Sequence, residues 1–293
     1  MDVLAAPTEP PPGQRMRGRL DLRFAAVNGR TVATALAQAP PLQMVRSFGL
    51  ADGAALVHLH NIAGGVLAGD DLTIAVEVAP GAQAQLTTTG ANRIYRSRDG
   101  AAARVRTRVD VAAGGLLEYL PDPTIPFAGA VYEQATRIDL AADAGLCWWE
   151  VLAPGRSAAG ESFAYRRLRL DLDLWAAGRP IAIERLLLEP AERPLASPAR
   201  FGRYTHLASG YLCRVGLAPE RWLELEAGLS RLAQDLSRPG AVLWGVSALP
   251  AHGLLVRGLA MSSAPLSGAM LEFWGAAKRE LYGRAPNVPR KVY

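Results

Sequence analysis

The sequence predicts a mainly β fold in which sheet layers stack with a helix-like, β-solenoid-type topology, and two α-helices follow at the C-terminal end. Three observations lead to this prediction. Apolar and polar residues alternate with period two from residue 15 to about residue 218, glycine-containing turns recur about every thirty residues, and the apolar period becomes helical afterwards. We therefore expect a disordered tail over residues 1–14 and a single domain over 15–293, which is β-rich at 15–218 and carries the two helices at 219–293.

The N-terminal tail is predicted from its composition. It is rich in residues that interrupt regular structure, namely Pro7, Pro10, Pro11, Pro12 and Gly13. It lacks a basic segment followed by an apolar stretch, so we expect no signal peptide. No segment of the chain approaches the ~20 apolar residues that a membrane-spanning helix needs. Cys147 and Cys213 stand apart without CxxC spacing, which favours a reducing compartment, and we expect a cytoplasmic protein with no membrane partner.

The strands are predicted from alternation. In the segments 72–78, 105–111 and 168–174, every second residue is apolar or small and the residues between them are mostly charged or polar. Such a pattern is typical of a strand with one buried face. Arg104, Arg106 and Arg108 then form an exposed basic stripe on the second of these strands.

The layers are predicted from a weak internal repeat. Gly81, Gly114 and Gly145 each follow one strand and precede the next, 33 and 31 residues apart. Glycine supplies the positive φ that a tight turn needs, and a fixed period with a strand, a turn and a strand in each unit indicates stacked β layers. Separate hairpins in an ordinary sandwich remain an alternative explanation of the same spacing.

The two helices are predicted from the change of period. Apolar residues follow three- and four-residue steps from Trp222 to Leu236, between Pro219 and a stop beginning at Ser237. A second helix is expected from about Pro265 to Gly283. Both could cover the apolar face of the sheet, and the second could also form part of a partner surface.

Composition limits the function classes. The net charge is +5, and arginine supplies nearly all of the positive charge, since the only lysines are Lys278 and Lys291. Codon bias would explain this excess, but arginine also binds carboxylates with a planar fork, and a basic surface weakly favours an acidic partner. The sequence has no phosphate-binding loop, no HExxH, no GxSxG and only four histidines, so it offers few groups for catalysis.

Four ordered segments carry a resemblance to a known family. They are LVHLHNIAGGVLAGD at 56–70, AQLTTTGANRIYR at 84–96, LLEYLPDPTIPF at 116–127 and EVLAPGRSAAGESF at 150–163. Together they resemble the urease accessory protein UreD (UreH) family. The positions that match its motifs are Gly64, Gly65, Gly69, Asp70, Gly155, Arg156, Gly160 and Glu161.

The resemblance implies a function by assembly rather than by catalysis. It implies a β-rich stack with C-terminal helices that binds the accessory proteins UreF and UreG and docks on apo-urease. It also implies help with GTP-dependent nickel insertion, with no tightly bound cofactor and nickel held only transiently. GTP hydrolysis would belong to UreG, which fits the missing phosphate-binding loop.

Several polar residues are candidates for a nickel path that the resemblance implies. Asp70 could line such a path, or its carboxylate could cap backbone N–H groups of its turn. Glu150 and Glu161 could belong to the path or form a salt-bridged corner with Arg156. Other candidates are Thr87, Thr88 and Thr89, which could line a hydrated channel or be ordinary strand residues, and His58 and His60, which share one side of a strand.

Two further function classes compete with the scaffold. A sugar-acting enzyme is suggested by the repeat and by Glu150 and Glu161 as a carboxylate pair. A nucleic-acid binder is suggested by the arginine stripe, although no aromatic residues interleave it, and we therefore expect no nucleic-acid partner.

Overall fold

The computed structural model describes residues 15–289, so the predicted tail at 1–14 lies outside the described residues. The strands in chain order are β1 Arg17–Val27, β2 Arg30–Ala39, β3 Leu42–Gln43, β4 Ser47–Gly49, β5 Ala55–Asn61, β6 Asp71–Val78, β7 Gln83–Thr88, β8 Asn92–Ile94, β9 Ala103–Val111, β10 Leu116–Tyr119, β11 Thr124–Pro126, β12 Val131–Leu140, β13 Gly145–Leu152, β14 Arg167–Ala176, β15 Arg179–Leu188, β16 His206–Arg214, β17 Val242–Ala248 and β18 Gly253–Ala260. The helices are α1 Pro219–Leu236 and α2 Ser263–Tyr282.

The strands form two sheets. The first has seven strands in the order β15-β14-β12-β9-β6-β1-β2, and the second has eleven strands with the main order β17-β18-β16-β13-β10-β7-β5-β3. Within each sheet, the strands that follow one another in the repeat are parallel: β6, β9, β12 and β14 in the first sheet, and β5, β7, β10 and β13 in the second. The chain therefore winds from one sheet to the other and back, which confirms the predicted solenoid stacking.

Each coil has a tight turn at one end and a long connection at the other. Gly81 and Gly114 occupy the tight turns with φ of 68° and 67°, as their spacing predicts. The third turn differs, because Asp143 takes the positive φ of 54° there and Gly145 begins β13. Gly145 is needed for space instead, since a Cβ at this position would collide with the hydroxyl of Tyr282. We call the opposite end, with the segments 89–102, 120–130 and 153–166, the long-connection edge.

The main core lies between the two sheets. Inward residues of the parallel strands, such as Leu72, Val109, Ile138 and Leu174, are almost completely buried. Many of their outward neighbours are charged and form ion pairs, some along one strand and some between adjacent strands. The paired arginines on this outer face are Arg19, Arg23, Arg104, Arg106, Arg108, Arg137, Arg167, Arg169 and Arg185.

The C-terminal part contains both predicted helices and also a hairpin that the sequence analysis missed. The observed helices match the predicted bounds closely, and α2 ends at Gly283 in the left-handed conformation. Between them, β17 and β18 extend the eleven-stranded sheet beside β16. The helices cover the outer face of this sheet, where a second core joins Trp222 and Phe273 to Trp149 and Val256. No helix within residues 15–289 combines the length and the apolar character that crossing a bilayer requires.

A buried polar cluster attaches α2 to the sheet. The ammonium of Lys278 lies 2.9 Å from Glu118 Oε2, and the two side chains are 2% and 3% exposed. Trp274 Nε1 donates to Glu118 Oε1 at 2.6 Å, and Asp52 lies 3.5 Å from the ammonium on the other side. We call Lys278, Glu118, Trp274 and Asp52 the helix anchor.

Candidate functional site

A cavity of about 300 Å³ lies between the two sheets, toward the long-connection edge. Its walls mix aliphatic and aromatic side chains with a set of uncharged polar groups and carboxylates. The polar residues that line it include His60, Asn61, Thr88, Thr89, Asn92, Thr107, Asp122, Thr124, Gln134, Thr136 and Glu150.

All four sequence segments that carry the family resemblance reach this cavity. The first contributes Gly64 and Gly65, the second the stretch 88–93, the third residues between Tyr119 and Thr124, and the fourth Glu150 with Val151. The last three segments begin in β7, β10 and β13, which are neighbouring parallel strands, so equivalent points of successive coils stack beside one another. The stacking explains why residues far apart in sequence line one space.

The glycine-rich segment closes one side of the cavity. Val66 N donates to the carbonyl of Arg93 at 2.8 Å, and Tyr95 N donates to the carbonyl of Val66 at 2.9 Å. A Cβ on Gly65 would lie 2.5 Å from the Arg93 carbonyl oxygen and 2.6 Å from the Tyr95 ring. Glycine at this position is therefore required for close backbone approach.

Asp70 lies beside the cavity rather than in its wall. Its side chain is 1% exposed, and its two carboxylate oxygens accept the backbone N–H groups of Met16 and Leu67, each at 2.9 Å. Its carbonyl accepts from Arg104 N at 2.8 Å. This geometry is the turn-capping alternative, in which the carboxylate joins the start of β1 to the glycine-rich turn. Gly69, with φ of 82°, precedes it in that turn.

The three threonines divide their roles. Thr87 is buried and its hydroxyl donates to the Leu120 carbonyl at 2.6 Å, which joins β7 to the next coil. Thr88 accepts from Asp122 N at 2.9 Å and donates to the Asp122 carboxylate at 3.2 Å. Thr88 and Thr89 line the cavity, and Thr87 does not.

Glu150 is the carboxylate at the inner end of the cavity. It projects from the inner face of β13 and accepts a hydrogen bond from Gln134 Nε2 at 2.5 Å. Tyr132 donates to Gln134 Oε1 at 3.0 Å, so the three side chains form a chain of hydrogen bonds. Burial raises the pKa of Glu150 to about 7, and the Gln134 hydrogen bond opposes the shift.

A smaller cavity of about 40 Å³ continues from this point. It shares Thr124, Gln134 and Glu150 with the first cavity and extends to Glu184 and Ser209. Glu184 is held in place, because Tyr211 donates to one of its oxygens at 2.5 Å and Arg257 lies 2.7 Å from the other. The two cavities therefore adjoin at Gln134 and Glu150, between the sheets.

Glu161 belongs to a different arrangement. Its carboxylate accepts from Arg156 Nε at 3.0 Å and from Ala128 N at 3.1 Å, and the Arg156 hydrogen bond lowers the pKa of Glu161 to about 2. Gly155 has φ of 148° where a side chain would press on Glu161, and Gly160 ends a short 3₁₀ turn at Ser157–Ala159 in the left-handed conformation. These residues build the salt-bridged corner at the surface of the last long connection.

The histidines lie on β5. His58 and His60 share one side of the strand and line a neighbouring surface cavity of about 300 Å³ with Thr88 and Thr89. The ring of His58 stands edge-on to Phe48, with 5.6 Å between centroids. Within residues 15–289 no three side chains of His, Cys, Asp or Glu are grouped closely enough to hold a metal ion. Cys147 and Cys213 are free and buried, as expected for small core residues.

Two features on which the competing function classes depend differ from the expectation. Glu150 lines the cavity while Glu161 lies in the corner with Arg156, so the expected carboxylate pair does not face a common space. The arginine stripe on β9 is neutralised, since Arg104, Arg106 and Arg108 each pair with a carboxylate at 2.9 Å or less.

Sequence reasoning missed several cavity residues. Thr107, Gln134 and Thr136 are polar at inward positions of β9 and β12, where their strand neighbours are buried and apolar. Their place in the alternating pattern could have identified them, because a polar residue on a buried face needs a hydrogen-bond partner or a water molecule.

Comparisons with known proteins agree with the motifs. The family model described as UreD urease accessory protein matches residues 16–293. The chain is 54% identical over 280 residues to urease accessory protein UreD of Herpetosiphon aurantiacus, covering 96% of this chain and 98% of that protein. It is 33% identical over 283 residues to the protein of the same name from Deinococcus radiodurans, covering 95% and 96% of the two chains. The Klebsiella pneumoniae protein of that name is 31% identical over 281 residues, with 96% of each chain covered.

Proposed function

The chain belongs to the urease accessory protein UreD family, which gives it a role in urease maturation, and we propose that it acts there as a non-catalytic scaffold in a complex with UreF and UreG. In this proposal the complex docks on apo-urease and the chain helps to pass nickel to the urease active site. GTP hydrolysis is assigned to UreG. The work takes place in the cytoplasm, where the two buried thiols stay reduced.

The observation that carries the proposal is the convergence of the four family segments on one cavity, whose walls combine apolar side chains with polar ones. Of the positions that match the family motifs, Gly64 and Gly65 line this cavity, while Arg156 and Glu161 form the salt-bridged corner at the surface. Here Gly65, Thr88 and Glu150 come from three different segments and meet inside, between the sheets. Such an internal space with polar groups in its walls supports the passage of a small charged cargo.

The potential metal ligands in the cavity support a nickel ion that passes through rather than one that stays bound. The cavity offers hydroxyl, amide and carboxylate oxygens together with one imidazole, all of which can contact a divalent cation such as nickel, and Arg93 is the cationic residue in its lining. The carboxylates are spread along the path, with Asp122 in one wall, Glu150 at the inner end and Glu184 beyond it. Nickel is cargo in this proposal, and weak successive contacts would let it move on.

The test narrows the cavity without touching the outer surface. In Thr107→Phe, the larger side chain should occupy the cavity from β9 while the protein still binds UreF and UreG. We expect urease matured with this variant to contain less nickel and to show at least about a tenfold lower activity, since a blocked path leaves only uncatalysed metal uptake.

The matched control is Thr73→Phe, which places the same side chain on the outward face of neighbouring β6. Thermal melts and pull-downs with UreF and UreG show whether each variant is folded and assembled. Full urease activation by a folded Thr107→Phe variant would contradict transit through the cavity. A folded wild-type chain that does not bind UreF would contradict the scaffold itself.

A further inference from the structure

Three exposed arginines at the long-connection edge have no counter-charge. Arg93, Arg96 and Arg98 lie on the segment that carries β8, and none of them has a carboxylate within 4 Å among the described residues. The outer face of the seven-stranded sheet is different, since its arginines are nearly all ion-paired. We call Arg93, Arg96 and Arg98 the arginine rim.

The backbone of the arginine rim is hydrogen-bonded to neighbouring segments. Residues 92–94 pair with β11, Arg96 forms an antiparallel bridge with Ala130, and Ser97 N donates to the Gly129 carbonyl at 3.1 Å. On the other side, the carbonyl of Arg93 accepts from Val66 N. Because the backbone of Arg93 and Arg96 is paired with neighbouring segments, a partner that binds these side chains does not have to order the backbone there, which lowers the entropic cost of binding.

Neighbouring carboxylates do not neutralise the positive charge of the arginine rim. The nearby acidic groups are engaged elsewhere, since Asp99 pairs with Arg15 at 3.2 Å and Glu161 pairs with Arg156. Arg93 is exposed and also lines the cavity, so the rim lies where the cavity meets the surface.

Apolar and aromatic groups lie beside the arginine rim. The glycine-rich segment that packs against Arg93 exposes Ile62 and Leu67, which are 61% and 38% exposed. Tyr95 and Phe127 are half-buried and meet edge to face at 5.0 Å. Arginine, tyrosine and exposed aliphatic residues in one patch are typical of protein interfaces.

From these observations we propose that the arginine rim, with Ile62 and Leu67, is the docking site for an acidic protein surface that lies across the cavity mouth. This inference rests on the proposed function, because it assigns a partner surface to the same cavity. Charge complementarity determines the occupant, as three exposed guanidinium groups with no ion pair among the described residues match carboxylates. A nucleic acid is less suitable, because Tyr95 is engaged by Phe127, and Arg156 covers the Phe127 ring at 4.4 Å, so the rings are not free to stack on bases.

The experiment reverses the charge of the arginine rim. The double variant Arg96→Glu/Arg98→Glu is compared with wild type for binding to purified UreF and to purified apo-urease, at low and high salt. We expect affinity for one of the two proteins to fall at least about tenfold at low salt, with a smaller difference at high salt because salt screens exposed charges. Arg93 is left unchanged so that the cavity wall stays intact.

The control is Arg30→Glu/Arg179→Glu, which makes the same change in net charge at the opposite edge of the solenoid. Arg30 begins β2 and Arg179 begins β15, both directly after tight turns, and both are exposed. This variant should bind both proteins like wild type. Equal losses in the two double variants would show a general effect of net charge and would overturn the proposed site.

The remaining outcomes are distinguishable. If wild type binds UreF or apo-urease and the rim variant binds both equally well, the docking site is wrong while the scaffold function stands. If wild type binds neither protein, the scaffold function fails and the docking site fails with it. Binding of a labelled single-stranded 20-mer oligonucleotide that is lost in the rim variant, with protein binding unchanged, would replace the acidic protein by a nucleic acid.

Discussion

Replacing Lys278 by methionine should destabilise the protein far more than breaking an exposed ion pair of similar length. In the helix anchor, the Lys278 ammonium lies 2.9 Å from Glu118, and both groups are almost completely buried. In the exposed pair, Arg221 lies 2.7 Å from Glu280, and the side chains are 39% and 56% exposed. The distances are alike, so burial decides the difference.

The expected magnitudes follow from what each change leaves behind. Lys278→Met leaves the Glu118 carboxylate buried with two neutral donors, Trp274 Nε1 at 2.6 Å and Gln85 Nε2 at 3.4 Å, and an uncompensated buried charge costs about 3–5 kcal/mol. Arg221→Met leaves Glu280 and the second partner of the arginine, Glu224, in water, where the loss for each exposed pair is about 0–1 kcal/mol. Burial raises the pKa of Glu118 and Lys278 opposes this, so removing the lysine should make the carboxyl easier to protonate. The defect of Lys278→Met should therefore shrink as the pH is lowered.

Urea denaturation followed by tryptophan fluorescence measures these free energies of unfolding. The double variant Glu118→Met/Lys278→Met removes both charges and should recover most of the loss, because two apolar side chains of similar length carry no buried charge. A Lys278→Met variant that loses no more stability than Arg221→Met would refute the reasoning. So would a double variant that is less stable than the single one.

Two further predictions concern the carboxylates of the site. Glu150 has its pKa raised to about 7 in the folded protein, so the native state keeps a proton that the unfolded chain has released, and stability should fall as the pH rises from about 4.5 through 7. Measured by urea denaturation at pH 5 and pH 8, wild type should lose up to about 3 kcal/mol relative to Glu150→Gln, and parallel pH profiles would contradict the assignment. Asp70→Ala removes the acceptor of two backbone N–H groups and should cost about 1–3 kcal/mol, with Asp70→Asn losing less because its amide oxygen still accepts one of them. If Asp70→Ala melts like wild type yet fails to support urease activation, Asp70 acts in the path and not as a cap.

Much of the fold was predictable from the sequence, because the two-residue period of apolar side chains in the strands matches the observed burial of alternate residues. The outward residues of β6, β9 and β14 are mostly charged or polar and their inward residues are mostly apolar, so each strand and its orientation could be read directly. The helices were equally clear, since Pro219 and Gly283 mark the start of α1 and the end of α2.

The β17–β18 hairpin was not predictable by the same means. Helices cover the outer face of this part of the sheet, so its strands carry apolar residues on both faces and lose the alternation. β13 shows the same effect, since Leu146 and Trp148 face the main core while Cys147 and Trp149 face the helices. A strand buried on both sides resembles any short apolar run.

The candidate site was predictable in part. The sequence could identify Glu150 and Thr88 as polar candidates, but it could not show that Glu161 turns away to Arg156 or that Asp70 caps a turn. Those outcomes depend on which coil lies beside which, and that register is set by long-range pairing. Gln134 could not be identified from the sequence, because it matters through its hydrogen bond to Glu150, which faces it across the space between the sheets.

The stacking of coils also sets the distance between equivalent residues of successive coils. Neighbouring strands lie about 4.8 Å apart, so the three steps from β5 through β7 and β10 to β13 span about 14 Å. An ion entering near Asn61 and leaving beyond Glu150 would change its neighbours once per rung, in hops no longer than the gap between adjacent strands. The number of coils therefore sets the length of the proposed nickel route. A relative with one coil fewer would have a route that is shorter by about one strand spacing.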